Sequence, residues 1–280
     1  MYDLYYSFGK LVCRFVSPEY HNENPHYSKF MCEKTDYNVE YIIDYTDKIE
    51  VKGKFATKKT FYELYTDGNI YRFYYRNDDC VNFYALREMD ISSPFNQKIY
   101  YLSKYKNKIW QRVMINTMGF EDIALINDSC VFHSSFIVHN GEAIIFTAPC
   151  QTGKSTQAEL WKKHRGAEII NGDKSLLYYQ NGRVYASGIP FSGSSNYCEK
   201  GTYPVKAIVY LSQAKTNIVK ELKSIEAFKA VYSGMYQSFY SSEQSQMAID
   251  IAQSIASNTK VFSLACLPDE SAVAELEKNI

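Results

Sequence analysis

The sequence predicts an α/β chain of the α+β kind, in which a mainly antiparallel β region over residues 1–118 precedes a mixed-sheet domain over 119–280. Two observations carry this division. Of 26 tyrosines, 17 lie before residue 110, whereas 8 of 13 glycines fall between 141 and 201, so regions of different character share the 280 residues. The first alternates aromatic and β-branched runs with turn residues, and the second places strand, loop and helix in immediate succession. The length allows two domains of ordinary size with a sizeable core.

Composition narrows the function classes. Lys+Arg and Asp+Glu both total 31, a formal net charge of zero. That balance lacks the global electrostatic pull of a nucleic-acid binder or of a protein held on anionic membrane. Seven cysteines, at 13, 32, 80, 130, 150, 198 and 266, never approach C-x-x-C spacing, which excludes a zinc knuckle and a paired redox motif. No stretch approaches the ~18–20 apolar residues of a membrane span, and Met1-Tyr2-Asp3-Leu4-Tyr5 lacks a leader pattern. The expectation is a cytoplasmic chain with reduced thiols.

In chain order, strands are expected over 4–16, 41–45, 61–66, 70–76 and 81–86, with a hairpin at Asp67-Gly68. Tyrosine suits a strand with one wet and one dry face; a stacking platform for sugars or bases is the other reading. Ile99, Leu102, Ile109, Val113 and Ile115 share a helical face, so 96–118 reads as a connector helix ended by Gly119. Asn140-Gly141 predicts a hairpin between strands 131–138 and 143–147, and Asn181-Gly182 another between 176–179 and 184–186. Further on, 207–211 and 261–266 read as strands. Residues 224–235, with Ser224 as N-cap, 243–256 and 269–278 read as helices that cover the sheet.

The chemistry lies in Ala148-Pro149-Cys150-Gln151-Thr152-Gly153-Lys154-Ser155, between an apolar strand and a helix that closes on a basic turn before Gly166. This is the phosphate-binding pattern G-x-x-x-x-G-K-[ST] with Ala148 in the first glycine position. Successive backbone N–H groups wrap phosphates, the lysine reaches the β/γ oxygens, and the hydroxyl ligates Mg²⁺. No N-K-x-D base-reading motif accompanies it, and the strand 207–211 ends in Ser212-Gln213 rather than in an acid, so neither a GTPase nor a standard ATPase is indicated. Asp173 instead follows a short strand, 18 residues after Ser155. It could help hold Mg²⁺ or accept a proton from an attacking hydroxyl. The small residues Gly188, Ser192, Gly193 and Ser194 suit a loop whose backbone approaches an acceptor.

Over about 130–195 the sequence resembles the HPr kinase/phosphorylase family and its broader group of kinase-like relatives, which share a P-loop fold with ATP-dependent phosphoenolpyruvate carboxykinase. The matching features are His133, the Asn140-Gly141 turn, the loop from Ala148 to Ser155, Arg165-Gly166 and the Asn171-Gly172-Asp173 turn. The resemblance implies that Gln151, Thr152, Gly153, Lys154, Ser155 and Thr156 cradle the phosphates. It also implies that Ser155 and Asp173 hold the metal, that Asp173 and Lys154 act in catalysis, and that His133 faces the phosphates. Thr156 stands where enzymes acting on HPr carry glutamate, and Gly172 where the first of two family acids stands, so the broader group is the closer match.

The expected activity is therefore an ATP- and Mg²⁺-dependent kinase acting on a hydroxyl of a peptide or small molecule, with nucleotide and acceptor as partners and a homo-oligomer as a further option. The other readings are a catalytically impaired nucleotide sensor, and a module that docks a free anion or phosphopeptide.

Overall fold

In the computed structural model, the described residues are all except 21–23, 77–81, 110, 194, 196 and 238, with the side chains of 107 and 112 also left aside. The chain forms two compact units, Met1–Ile123 and Ala124–Ile280.

In the first unit the run expected as a single strand over 4–16 is a hairpin, β1 (Tyr2–Phe8) and β2 (Leu11–Ser17), because Gly9 adopts a positive φ and turns the chain. A short helix α1 (Pro25–Ser28) and β3 (Met31–Cys32) lead to β4 (Val39–Thr46), β5 (Lys54–Lys58), β6 (Tyr62–Asp67), β7 (Ile70–Arg76), β8 (Phe83–Asp90) and β9 (Asn96–Leu102). They form one sheet in the order β3-β1-β2-β4-β9-β8-β7-β6-β5. It is mixed rather than uniformly antiparallel, since β4 runs parallel to both β2 and β9. The hairpin expected at Asp67-Gly68 is shifted by one residue: Asp67 pairs with Ile70, and Gly68-Asn69 make the turn.

The connector helix expected over 96–118 is overturned for its first part. Residues Asn96–Leu102 are strand β9, with Gln97, Ile99 and Tyr101 buried in alternation and paired to β4 and β8. A 3₁₀ turn (Ser103–Lys108) then precedes α2 (Gln111–Thr117), and Gly119, at positive φ, separates it from α3 (Phe120–Ile126), within which the two units divide. Part of the tyrosine excess is core: Tyr6, Tyr41, Tyr74 and Tyr101 are among the largest fully buried side chains, so these four rings offer no stacking face to a ligand. Tyr41 keeps its hydroxyl satisfied on the Met118 carbonyl at 2.8 Å.

The second unit is built on two long strands, β10 (Ser129–His139) and, later, β15 (Thr202–Gln213). Between them come β11 (Glu142–Thr147), α4 (Lys154–Arg165), β12 (Glu168–Asn171), β13 (Lys174–Gln180) and β14 (Arg183–Ser187); after them come β16 (Ile218–Leu222), α5 (Ile225–Gly234), α6 (Ser242–Asn258), β17 (Lys260–Cys266) and α7 (Glu270–Glu277). Both expected Asn-Gly hairpins form as two-residue turns with positive φ at both positions. The upper half of β10 pairs with β11 and β12 and its lower half with β13, while β11, β15 and β17 run parallel.

Alternation along these strands separates two cores. Ile144, Phe146 and Val209 meet Ala158 and Trp161 of α4 and Val273 and Leu276 of α7. Ile145, Ile208 and Phe136 meet Ala230 and Val231 of α5 and Ile251 and Ile255 of α6. Ser224 precedes α5 as expected, but its side chain makes no capping hydrogen bond. Among the described residues no helix is long and apolar enough to cross a membrane, and of the cysteines Cys13, Cys130 and Cys198 are buried and Cys150 is exposed.

Candidate active site

Strand β11 ends at Thr147 and delivers the loop 148–153 to the start of α4. Gly153 takes the position before the helix at φ 111°, a backbone that only glycine adopts at no cost, and places no side chain over the first turn. That turn carries no acidic residue. Its N–H groups have no partner four residues back, so the positive end of the α4 dipole faces the loop unneutralised. Ala148 is buried and does not adopt a positive φ, so the missing first glycine leaves the backbone unstrained. Gln151 does turn through φ 62°, and Thr152 fixes the bend by donating to the Pro149 carbonyl at 2.9 Å.

Lys154 is folded back under this loop, with Nζ donating to the carbonyls of Ala148 at 3.0 Å and Pro149 at 3.3 Å. It is 8% exposed, and burial holds its ammonium below the ordinary lysine range. Ser155 and Thr156 are exposed on the first turn. On the parallel neighbour β15, Gln213 donates to the Gln151 carbonyl at 3.4 Å, which places an amide at the strand end where the sequence lacks an acid.

The carboxylate comes from the other side. Asn171, fully buried at the end of β12, accepts the N–H groups of Asp173 and Lys174 on Oδ1, both at 2.9 Å, and so shapes the Gly172-Asp173 turn. Its Nδ2 donates to the carbonyls of Ile189 at 2.9 Å and Phe191 at 3.0 Å, fastening residues 189–191 beside that turn. The Asp173 carboxylate lies 3.6 Å from Nε2 of His133 on β10. Burial, and then the Lys154 and Lys174 cations, push the imidazole below its ordinary value against the opposing pull of Asp173, which leaves it neutral at pH 7. The 3.6 Å contact is therefore not an ion pair at that pH.

Of the residues read as an acceptor loop, Gly193 packs on the Gly172-Asp173 turn: a Cβ there would sit 2.7 Å from the Asp173 carboxyl carbon. Gly188 is small for another reason, since its Cβ position falls 1.9 Å from the Glu199 carbonyl oxygen. Ser192 accepts from the Ser195 hydroxyl at 2.9 Å through its carbonyl, and Ser194 lies outside the described residues.

Three side chains at this end carried no signal in the motif. Asn171 is the clamp just described. Lys174 sits with Nζ 4.2 Å from the ring centre of Tyr236 and 5.4 Å from that of Phe191. Tyr236 is held against β10 by its N–H bond to the Val131 carbonyl at 2.9 Å. Asn171 and Lys174 flank Asp173 in sequence and could have been flagged from the turn, whereas Tyr236 arrives from more than sixty residues away. The other histidines lie away from this cluster in the sequence and carry no role in it. His164 lies 3.3 Å from Glu270, the His139 ring packs edge-on against Trp161, and His26 is half-buried; His21 lies outside the described residues.

Gly172, where a second acid was in question, is occupied sterically. A Cβ at 172 would lie 2.4 Å from the Ser195 hydroxyl oxygen. Gly172→Asp is therefore expected to cost about 1–3 kcal/mol through overpacking and to bring no gain in phosphotransfer, as read by thermal unfolding and turnover. A more active variant of unchanged stability would contradict this account.

No family model matches the chain, and no curated protein matches it. Among solved structures, the chain is similar to the Hpr(Ser) kinase/phosphatase from Coxiella burnetii, at 11% identity and a TM-score of 0.34, over 53% of this chain and 94% of that one.

Proposed function

We propose that the chain is a Mg²⁺-dependent kinase that transfers the terminal phosphoryl group of ATP to a hydroxyl of a peptide or small molecule. One observation carries the reading: Lys154 from the loop, His133 from β10 and Asp173 from the β12–β13 turn, far apart in sequence, interact electrostatically in one place. One cation, Lys154, and a helix dipole end opposite a single carboxylate suit a polyanionic donor.

The residues fit Mg²⁺ of the kind that arrives with nucleotide. Among the described residues no group of three or more His, Cys, Asp and Glu could hold a metal by itself. Mg²⁺ asks for less, because it takes most of its oxygens from phosphates and water and needs one or two protein ligands. Ser155 and Asp173 would be those ligands, and the ion would neutralise phosphate charge as it shifts toward the leaving group.

The first-turn amides and Lys154 hold the donor. In the transfer, the acceptor oxygen bonds the γ-phosphorus as its bond to the β–γ bridging oxygen breaks, and ADP leaves with that electron pair. The hydroxyl proton passes to a carboxylate oxygen of Asp173. Neutral His133 adds no further positive charge that would hold the product, and Gly193 packs against the Asp173 carboxyl group.

Calorimetry with Mg-ATP, set beside long-incubation mass spectrometry against hydroxyl acceptors, tests the proposal. Saturable binding of Mg-ATP in preference to orthophosphate, followed by phosphorylated product, is expected. Orthophosphate binding as tight as ATP would overturn it in favour of an anion-docking module. The filled space at Gly172 favours the sensor as a second reading, which predicts nucleotide binding with no product.

A further inference from the structure

We propose that Lys174, held over Tyr236 and Phe191 beside Asp173, binds an anionic group of the acceptor, so that the phosphorylated hydroxyl belongs to a molecule that also carries a carboxylate or phosphate. This rests on the kinase reading above and assigns its substrate class.

Position comes first. His133 and Lys174 are direct cross-strand partners of β10 and β13, and Ser134, the next residue of β10, pairs with Thr147 at the mouth of the phosphate loop. Strand β10 thus separates Lys174 from the strand that delivers the donor site. Two strand spacings amount to roughly 10 Å. The Lys174 backbone thus starts two strands away from the loop that cradles the donor phosphates, whereas it directly follows Asp173, which would face the attacking hydroxyl. That is where the rest of an acceptor molecule lies.

Charge comes second. Lys174 is half-buried, and no carboxylate lies within ion-pair distance of its ammonium among the described residues, although Asp173 precedes it in the chain. The faces of Tyr236 and Phe191 hold the cation in place of a counter-ion. A ring face steadies an ammonium without using its N–H groups as a carboxylate would, so the donors remain for a ligand. With Lys154 and Mg²⁺ assigned to the donor, the charge of Lys174 is left over, and a neutral acceptor would leave it uncompensated.

Third is rigidity. Phe191 belongs to the segment fastened by Asn171, and Tyr236 is tied to β10 next to the bridge between Phe132 and Met235. The backbone that carries each ring is therefore tied to an element beside Asp173, as a subsite that orients a hydroxyl requires.

The test uses the full chain as wild type, Lys174→Met and Lys174→Arg. Mg-ADP is titrated first and is expected to bind all three alike, with unchanged melting temperatures. D-glycerate, glycerol 3-phosphate and glycerol are then titrated into the Mg-ADP complex; they share hydroxyls and carry a carboxylate, a phosphate or neither. At least one anionic probe is expected to bind the wild type where glycerol does not, and which one binds identifies the anion. Lys174→Met should weaken that binding about tenfold or more, and Lys174→Arg should largely restore it. Glycerol binding equal to the anionic probes, binding of neither anionic probe, or an unchanged Lys174→Met overturns the proposal while leaving the donor site standing. Failure of the wild type to bind Mg-ADP removes the nucleotide reading, and this inference with it.

Discussion

Lys154→Met is expected to lower ATP turnover by about two to three orders of magnitude, the usual cost of removing one preorganised donor from a charge-developing site, while the fold is retained. The isosteric methionine keeps the packed stem. What it removes is an ammonium that now bonds only the Ala148 and Pro149 carbonyls of its own loop, contacts that a phosphate oxygen would replace. The same substitution carries a readout independent of turnover. Lys154 is the largest charged cause, after burial, of the depressed His133 titration, so its loss should move the His133 midpoint up toward the ordinary 6.5 in a proton NMR titration.

The sign for stability follows. A base with a depressed folded pKa binds fewer protons than in the unfolded chain, so its contribution is complete above pH 6.5 and is lost as pH falls through the folded midpoint. The variant should lose less stability over that window than the wild type. Undiminished phosphotransfer in Lys154→Met would sink the kinase reading, and an unmoved His133 midpoint would separate the loop lysine from the β10–β13 cluster.

How much of this was legible depended on how local the determining physics is. The Asn140-Gly141 and Asn181-Gly182 turns were readable because their positive φ values demand those residue types whatever surrounds them. The phosphate loop was readable for the same reason, through Gly153 at φ 111°. Strand β9 was misread because Ile99 and Leu102 are spaced as on a helix, while the residues that decide its state are Gln97, Ile99 and Tyr101. One of these is polar, and its place is set by pairing with β4, more than fifty residues earlier. In the site, Lys154 was visible from its motif and Asp173 from its turn. The cage around Lys174 was not, since Tyr236 reaches it only through the register of β10 and the packing of the chain beyond α5. Gly172 is the instructive intermediate: an absent acid in the sequence, but in the structure the space that Ser195 needs.

Gln97 leads to the largest expected loss of stability. Along β8, alternation turns Ala85, Arg87 and Met89 inward, which buries a guanidinium completely. Arg87 donates to Asp122 at 2.6 Å, to Gln97 at 2.9 Å and to the Tyr75 hydroxyl at 3.2 Å, and stacks over Phe73 at 3.8 Å. Gly119 lets the chain pass close by, since a Cβ there would fall 2.4 Å from the guanidinium carbon. Arg87→Met fits the volume but strands Asp122 and Gln97 in the core of the first unit. Breaking one partner of a buried pair costs about 3–5 kcal/mol, whereas replacing both is far milder. The expected result in thermal or denaturant unfolding is a severe loss in Arg87→Met and a substantial recovery in Arg87→Met/Asp122→Asn, with a coupling that non-additivity of the two single variants measures. If the double variant were as unstable as the sum of the singles, the ion pair would not be what holds α3 to β8, and the stacking on Phe73 would have to account for the burial of Arg87 alone.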